Sequence, residues 1–171
     1  MDVMEAVGRR RSIRAFEDRP VEEEKLRAVL EAGRLAPSAK NMQEWRFVVV
    51  QDPGLRRRLS VAANGQEFVA QAPVVIVGCG TQCEYRMPCG QPAFLIDVAI
   101  ALEHMALEAV EQGLGTCWIG AYKQEEVKNL LRIPPEAQVV CLLPLGYPAQ
   151  EPEARPRAPM EEIVFQDGWP V

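Results

Sequence analysis

The sequence predicts a β-sheet covered by helices on both faces, because predicted helices and strands alternate along most of the chain. With 171 residues the chain can bury one good core, so we expect a single domain over residues 1–171. Hydrophobic residues make up 48% of the chain and charged residues 25%, an apolar content too high for a disordered protein. These three observations predict a folded protein that combines helices with one sheet.

The helices are predicted from apolar residues that recur every three or four positions. Leu26, Val29 and Leu30 indicate an amphipathic helix that ends before Pro37. The longest helix is predicted over residues 94–112, and its apolar residues on several sides indicate burial nearly all round. We expect a chain this small to need a partner for that burial. Further helices are predicted near the N-terminus, at 55–63 and at 124–131.

The strands are predicted from short runs rich in β-branched and other apolar residues. They fall at residues 46–51, 73–78, 117–120 and 138–145. After Gly146 the composition changes, and the proline-rich segment 147–171 cannot form a regular interior element. We expect this segment to be an extended arm that lies across another surface, such as a second subunit.

Charge and composition exclude several classes of function. A net charge of -5 argues against a general nucleic-acid binder, which would need a basic face. No apolar run approaches the roughly 18 residues of a membrane span, and the N-terminal charges follow the apolar segment, unlike in a secretory signal. Five cysteines without a regular framework fit reduced thiols. We therefore expect a cytoplasmic protein with neither a nucleic-acid nor a membrane partner.

A basic cluster follows the first predicted helix. It consists of Arg10, Arg11, Ser12 and Arg14. Forked guanidinium donors and a hydroxyl within five residues suit a phosphate better than other common anions. Arg155 and Arg157, in the arm, could close on the same phosphate. Taken alone, each group could equally be a solvated surface segment.

Two further segments could contact a flat ligand. Ser38, Asn41 and Gln43 lie between a helix and a strand, and amide side chains can read a heterocycle that presents N–H beside C=O. They could also be ordinary turn and capping residues. In the run from Gly113 to Gly120, glycines bracket an apolar stretch and would let the backbone approach a ligand, or simply end a helix and a strand.

Other familiar signatures are missing from the sequence. There is no glycine-rich nucleotide loop, no G-x-x-x-x-G-K run and no H-E-x-x-H pair. Cys79, Cys83 and Cys89 lie close in sequence, but a structural zinc site wants four ligands, and His104 lies on a helix predicted to be buried. We expect reduced thiols rather than a metal site.

The order of these segments resembles a known family. The motifs are RRSIRAF at 10–16, APSAKNMQEWRFVVV at 36–50, a long helix with Asp97 that leads into GLGTCWIG at 113–120, PLGYP at 144–148, and an R-x-R before MEEI at 155–163. Together they make the chain similar to short, single-domain members of the FMN-dependent nitroreductase family. Glu44 is a departure, because the family often has proline at that position.

The resemblance implies an α+β fold with a central, mostly antiparallel sheet flanked by helices. It also implies a homodimer with FMN at the subunit interface and a C-terminal segment that reaches across to the partner. NAD(P)H would give a hydride to FMN, and the reduced flavin would then pass two electrons to a nitroaromatic, quinone or similar small acceptor in a ping-pong cycle. No side chain of the protein would be a catalytic nucleophile.

Two other interpretations of the function stay open. The same FMN scaffold could serve dehalogenation, desaturation or flavin fragmentation, or act as a flavin or ligand sensor without turnover. The arginine runs could instead form a surface for a protein or RNA partner, which the acidic balance of the chain disfavours. The sequence does not distinguish NADH from NADPH, because it contains no recognisable nicotinamide-nucleotide motif.

The resemblance also implies roles for individual residues. Arg10, Arg11, Ser12 and Arg14 would hold the FMN phosphate, the ribityl chain and part of the ring edge, and Arg155 and Arg157 would complete the phosphate clamp. Pro37, Ser38, Asn41 and Gln43 of the other subunit would line the isoalloxazine ring. Gly120 would present its backbone N–H toward flavin N5, with Trp118 and Ile119 packed behind it.

Overall fold

The computed structural model describes residues 1–169. The helices in that range are α1 (Val3–Arg9), α2 (Glu23–Arg34), α3 (Pro53–Ala62), α4 (Phe68–Gln71), α5 (Ala93–Glu111), α6 (Gln124–Leu131) and α7 (Met160–Ile163). The strands are β1 (Trp45–Val50), β2 (Val74–Gly80), β3 (Gly115–Thr116) and β4 (Gln138–Gly146). No helix within this range is both long enough and apolar enough to cross a lipid bilayer.

The strands form one sheet in the order β1-β2-β4-β3, and all three pairings are antiparallel. Trp45 lies opposite Gly80 at one end of the β1–β2 pair, and Val74 lies opposite Leu145 in the β2–β4 pair. Every residue of β2 is buried, because helices cover both faces of this central strand. The prediction of a mostly antiparallel sheet is confirmed.

Alternate residues of β2 reach opposite faces of the sheet, as the two-residue period of a strand requires. On one face Ile76 shares a buried cluster with Leu102 of α5, and α2 packs against α5 there. On the other face Val77 shares a second cluster with Leu59 of α3 and Val127 of α6. The prediction of helices on both faces is therefore confirmed.

The predicted strand at 117–120 is wrong. The paired segment is β3, just before it, and Ile119 makes only an isolated antiparallel bridge to Leu142. Cys117 and Ile119 are buried whereas Trp118 is exposed. The apolar alternation of this stretch thus reflects burial beside the edge of the sheet and not continuous strand pairing.

One chain alone does not bury α5 all round, and because the expected burial needs a partner, it stays a prediction. Leu95 and Ile96, in its first turn, are 45% and 43% exposed. The C-terminal half is better covered: Met105, Ala106 and Ala109 are fully buried. An apolar area therefore stays open at the N-terminal end of α5, where the sequence led us to expect a partner.

The predicted arm leaves the sheet after Gly146 and runs over the surface. Its apolar residues are largely exposed, including Met160 and Ile163 of α7 and Trp169. The rings of Phe165 and Trp169 pack edge to face with 5.2 Å between centroids. The last two residues of the predicted arm, Pro170 and Val171, lie outside the described residues.

Candidate functional site

Residues 10–14 and residues 152–157 meet in one cavity of about 180 Å³. Its lining, which we call the arginine cavity, consists of Arg10, Arg11, Ser12, Arg14, Pro152, Glu153, Arg155 and Arg157. Six of these residues were predicted to bind FMN, at its phosphate, ribityl chain or ring edge. Pro152 and Glu153 were not predicted as part of the site.

Backbone pairing brings the two segments together. The Ile13 N–H donates to the Thr116 carbonyl at 2.9 Å, which attaches the basic segment to β3. The Ala149 N–H donates to the Ala15 carbonyl at 3.0 Å, which places the start of the arm alongside the same segment. Ile13 is buried, so its neighbours Ser12 and Arg14 point the other way, as alternation in extended backbone requires.

Some of the guanidinium groups are already held by the protein. Arg11 Nη1 donates to the carbonyl oxygens of Gly8 at 2.7 Å and Arg10 at 2.8 Å, which satisfies carbonyls at the C-terminal end of α1. Arg10 Nε lies 3.5 Å from Glu103 Oε1 of α5. Arg14 and Arg155 line the cavity without a hydrogen bond from their side chains to any residue in 1–169. The cavity thus combines oriented cations with cations that can still turn toward an anion.

The charge of the arginine cavity is opposite to that of the whole chain. The lining contains five arginines and one carboxylate, that of Glu153, and Glu103 outside the lining pairs with Arg10. The protein as a whole has a net charge of -5. The buried Cys117 thiol lies close by, and burial raises its pKa although Arg14 and the Ser12 hydroxyl act in the opposite direction. A local cationic site with hydrogen-bond donors and a protonated thiol suits a phosphate monoester.

The second set of predicted residues lies on a loop before β1, which we call the amide loop (Pro37–Gln43). The Gln43 backbone N–H donates to Ser38 Oγ at 3.0 Å, and Gln43 Nε2 donates to Asn41 Oδ1 at 3.1 Å. Lys40, Asn41 and Gln43 have φ angles of 52°, 56° and 51°. Such left-handed backbone costs free energy for residues other than glycine, and it concentrates at functional sites.

Two buried carboxyl groups lie beneath the amide loop. Asp97 Oδ2 of α5 accepts a hydrogen bond from the Ala39 N–H at 2.9 Å, so the buried Asp97 side chain holds the backbone of the amide loop. Glu44 is only 1% exposed. Its backbone carbonyl accepts from both Thr81 N at 3.1 Å and Thr81 Oγ1 at 2.8 Å. Burial raises the pKa of Glu44, and the neighbouring Asp97 carboxyl adds to that rise.

Within one chain the amide loop and the arginine cavity are separate. Among residues 1–169, the lining of the cavity contains none of the predicted ring-binding residues Pro37, Ser38, Asn41 and Gln43. Pro37, Asn41 and Gln43 are exposed, with their side chains at the surface. That the amide loop of a second subunit lies beside the arginine cavity, as the family resemblance implies, stays a prediction.

The third predicted group lies between β3 and α6. Ile119 is buried, Trp118 is 37% exposed, and Gly120 is exposed. A Cβ atom built on Gly120 would meet no heavy atom within 4 Å, so the backbone here borders open space. Gln66 Nε2 donates to the carbonyls of Ala63 at 2.9 Å and Ala121 at 3.3 Å, which places its amide beside Gly120.

The clustered cysteines do not share one environment. Cys79 is buried, Cys83 is half-buried and Cys89 is exposed, and all three are free thiols. Burial raises the pKa of Cys79 to about 11. Burial also raises the pKa of Cys83. These two thiols are therefore protonated at neutral pH and are poor nucleophiles.

Known proteins with related sequences cover nearly the whole chain. The model of the "Nitroreductase family" matches residues 7–67 and 60–147. A "NADH dehydrogenase" of Thermus thermophilus is 35% identical over 96% of this chain and 96% of its own length. An "FMN reductase [NAD(P)H]" of Bacillus subtilis is 31% identical over 98% of this chain and 74% of its own length.

Solved structures show the same fold. The "NADPH:FMN oxidoreductase" from Vibrio harveyi, solved in complex with NAD+, superposes with a TM-score of 0.91 at 27% identity. The match covers 99% of this chain and 78% of the Vibrio chain. Because the family model, close relatives and the fold agree, the chain belongs to the nitroreductase family, as its motifs predicted.

Proposed function

We propose that this chain is an FMN-dependent oxidoreductase that takes a hydride from NAD(P)H and reduces nitroaromatics, quinones or similar small acceptors. The names of the Bacillus, Thermus and Vibrio relatives support an NAD(P)H-driven flavin oxidoreductase. The observation that carries the proposal for this chain's own residues is the arginine cavity, which is assembled from residues 10–14 and residues 152–157.

The arginine cavity has the donors that an FMN phosphate needs. A phosphate monoester carries close to two negative charges and three acceptor oxygens, and forked guanidinium groups bind it more strongly than neutral donors do. Arg14 and Arg155 can turn toward it, and the Ser12 hydroxyl adds a neutral donor. Arg10 and Arg11 are fixed by Glu103 and by backbone carbonyls, so less side-chain entropy is lost when they bind.

The amide loop has the groups that a flavin ring edge needs. Since Gln43 Nε2 is used by Asn41 Oδ1, Gln43 Oε1 remains as an acceptor and Asn41 Nδ2 remains as a donor. A ring edge that alternates C=O and N–H can pair with such a set. These residues would reach the ring of the FMN bound in the arginine cavity of the other subunit.

The segment from Trp118 to Gly120 would complete the site. Gly120 lacks a side chain and borders open space, so its backbone N–H could approach the ring closely. The bound FMN would supply the hydride chemistry, and the protein would supply position, charge and exclusion of water. Donors near the ring would stabilise the negative charge of the reduced state.

A homodimer accounts for the apolar surface that one chain leaves open. Leu95 and Ile96 of α5 are exposed, and so are Met160 and Ile163 in the arm. Isolated exposed apolar residues are ordinary, but Leu95 and Ile96 are adjacent in the first turn of the longest helix, and the two arm residues are three positions apart in α7. We propose that the arm of each subunit covers apolar surface on its partner and brings the amide loops to the cavities.

The proposal is tested first by the cofactor content of the purified protein. We expect the native protein to show flavin absorption and to release about one FMN per chain on heat denaturation. Size-exclusion chromatography with light scattering should give the mass of two chains. A colourless protein that also fails to bind added FMN would contradict the proposal.

Steady-state kinetics test the reaction itself. With NAD(P)H and a quinone or nitroaromatic varied together, a ping-pong cycle gives parallel lines in a double-reciprocal plot. Intersecting lines would show that both substrates bind at once. If the protein bound FMN but did not oxidise NAD(P)H, the result would favour the hypothesis that it is a sensor.

A further inference from the structure

Glu44 is the most unusual polar residue in the described part of the chain. It follows the amide loop directly and is only 1% exposed. Neither of its carboxyl oxygens has a hydrogen-bond donor among residues 1–169. The carboxyl of Asp97, which is itself 4% exposed, is close enough to raise the pKa of Glu44. A charged carboxylate buried without a donor is strongly unfavourable, so this arrangement calls for an explanation.

A single proton explains the arrangement. Two ionised carboxylates present only acceptors to each other, and at close range their charges repel. A proton on Glu44 converts its carboxyl into a donor that can bond to Asp97. Asp97 Oδ2 already accepts the Ala39 N–H at 2.9 Å. One proton would therefore connect Glu44, Asp97 and the backbone of the amide loop.

We propose that Glu44 is a positioning residue, a neutral carboxylic acid that donates a hydrogen bond to Asp97 and so fixes the amide loop for the flavin ring. The role in flavin binding rests on the proposed function. The shared proton itself does not, because it concerns only residues within one chain. The loop needs such support because Lys40, Asn41 and Gln43 hold left-handed backbone.

The other charged or titratable groups near Glu44 do not supply a replacement for the proton. Arg46 of β1 lowers the pKa of Glu44 slightly, but its Nη1 donates to the carbonyls of Gln43 at 3.1 Å and Trp45 at 2.7 Å. Cys83, after β2, is a thiol whose Sγ contacts the Gly80 carbonyl at 3.3 Å. Burial and Asp97 outweigh Arg46, so the pKa of Glu44 is raised.

The raised pKa sets the sign of the pH dependence. Glu44 binds a proton more tightly in the folded chain than in the unfolded chain, where its pKa is about 4.3. Its contribution to stability is therefore complete below that value and is lost as the pH rises through the folded pKa. Above that pH, two adjacent carboxylates would loosen the amide loop.

The first test measures stability without flavin. Glu44→Gln keeps a donor for Asp97 but cannot ionise, so we expect its melting temperature to equal or fall below that of the wild type near about pH 5 and to exceed it near about pH 9. Glu17→Gln removes the same charge from an exposed position and should follow the wild-type pH profile. If the melting temperatures of the wild type and Glu44→Gln changed with pH in parallel, the proposal of a shared proton would be overturned.

Asp97→Asn provides a second, independent variant. Its amide oxygen can still accept the Ala39 N–H, while its amide nitrogen can donate to an ionised Glu44. We therefore expect a smaller loss of melting temperature between about pH 5 and pH 9 than in the wild type. An unchanged loss would overturn the proposal even if Glu44→Gln failed to fold.

The second test measures FMN binding against pH by quenching of flavin fluorescence. We expect the Kd of the wild type to rise more steeply toward high pH than that of Glu44→Gln. The FMN phosphate titrates in the same way whichever variant is measured. The Kd of the Glu17→Gln control should therefore change with pH as the Kd of the wild type does. Equal slopes for wild type and Glu44→Gln would overturn the positioning role. If no variant binds FMN, the proposed function and the positioning role both fail, whereas the shared proton is judged by the stability profiles.

Discussion

We propose that the arginine cavity and the amide loop bind one cofactor, yet they are built in opposite ways. The cavity consists of long side chains on two extended segments, and Arg14, Arg155 and Arg157 are exposed. The amide loop has three left-handed residues and a hydrogen bond from its backbone to the buried Asp97. The cavity would therefore bind the FMN phosphate through charge, whereas the loop would bind the flavin ring through a fixed backbone geometry.

This difference has physical consequences for binding. Interactions between exposed charges weaken as salt is added, with a screening length of about 8 Å at physiological ionic strength. Backbone geometry and buried hydrogen bonds respond little to salt but are coupled to the stability of the fold. Changes in the cavity should thus alter FMN affinity alone, whereas changes in the loop should alter affinity and stability together.

The largest effect is expected from the cavity. Replacing Arg14 and Arg155 together by alanine removes two charge-assisted contacts to the phosphate, each worth about 1.5 kcal/mol or more. We expect the Kd for FMN to rise about a hundredfold or more and to become less dependent on salt. Isothermal titration at two salt concentrations measures both effects.

The matched control replaces two exposed arginines outside the cavity. Arg27→Ala with Arg57→Ala makes the same change in net charge on α2 and α3. We expect this variant to bind FMN like the wild type. If both double variants lost affinity equally, binding would depend on the overall charge of the protein and not on the arginine cavity.

A smaller effect is expected at Gly120, where backbone approach matters and charge does not. Gly120→Ala adds a methyl group into open space, so the fold should keep its melting temperature. If the backbone N–H meets the ring, the methyl group should weaken FMN binding about tenfold, or by about 1.4 kcal/mol. Flavin fluorescence quenching measures the Kd.

Gly8→Ala is the control for this substitution. Gly8 also borders open space, but it lies in α1, where alanine is the better helix former. We expect a higher melting temperature and unchanged FMN affinity. If Gly120→Ala bound FMN as tightly as the wild type, the ring would not lie against this backbone.

The sequence predicted the cavity better than the loop, for a physical reason. Arginines gathered near both ends of the chain are visible as charge, and the motif order allowed both groups to be assigned to one phosphate. The burial of Glu44 was not predicted, because a glutamate beside a loop is usually solvated. Its burial depends on tertiary contacts, such as those that hold the loop to Asp97 and Glu44 to Thr81, which the sequence pattern does not show.

The sequence pattern also predicted some elements of the fold correctly and others wrongly. The runs around β1, β2 and β4 predicted strands correctly, because each contains consecutive β-branched or other apolar residues. The stretch at 117–120 was mistaken for a strand, since alternating burial beside a sheet edge looks like strand pairing. Lys40 and Gln43 gave no sign of left-handed backbone, because these residue types do not favour it.

The smallest effect is expected from relief of strain in the amide loop. Lys40 is exposed and has a φ of 52°, which glycine adopts at no steric cost. Lys40→Gly should release about 1 kcal/mol of strain, partly offset by the greater entropy of glycine in the unfolded chain, for a net gain of about 0.5 kcal/mol. Because the loop is then less rigid, we expect FMN binding to weaken about threefold.

Arg132→Gly is the control for Lys40→Gly, because it relieves backbone strain at a position outside the proposed binding site. Arg132 has a φ of 55° at the C-terminal end of α6, outside the arginine cavity and the amide loop. Glycine there should raise the free energy of unfolding, measured by urea denaturation, as much as Lys40→Gly does, with no change in the Kd for FMN. If Lys40→Gly also left the Kd unchanged, the left-handed backbone would be incidental to binding. A loss of affinity at Lys40 alone would mean that the loop stores strain to hold its amide groups in position for the ring.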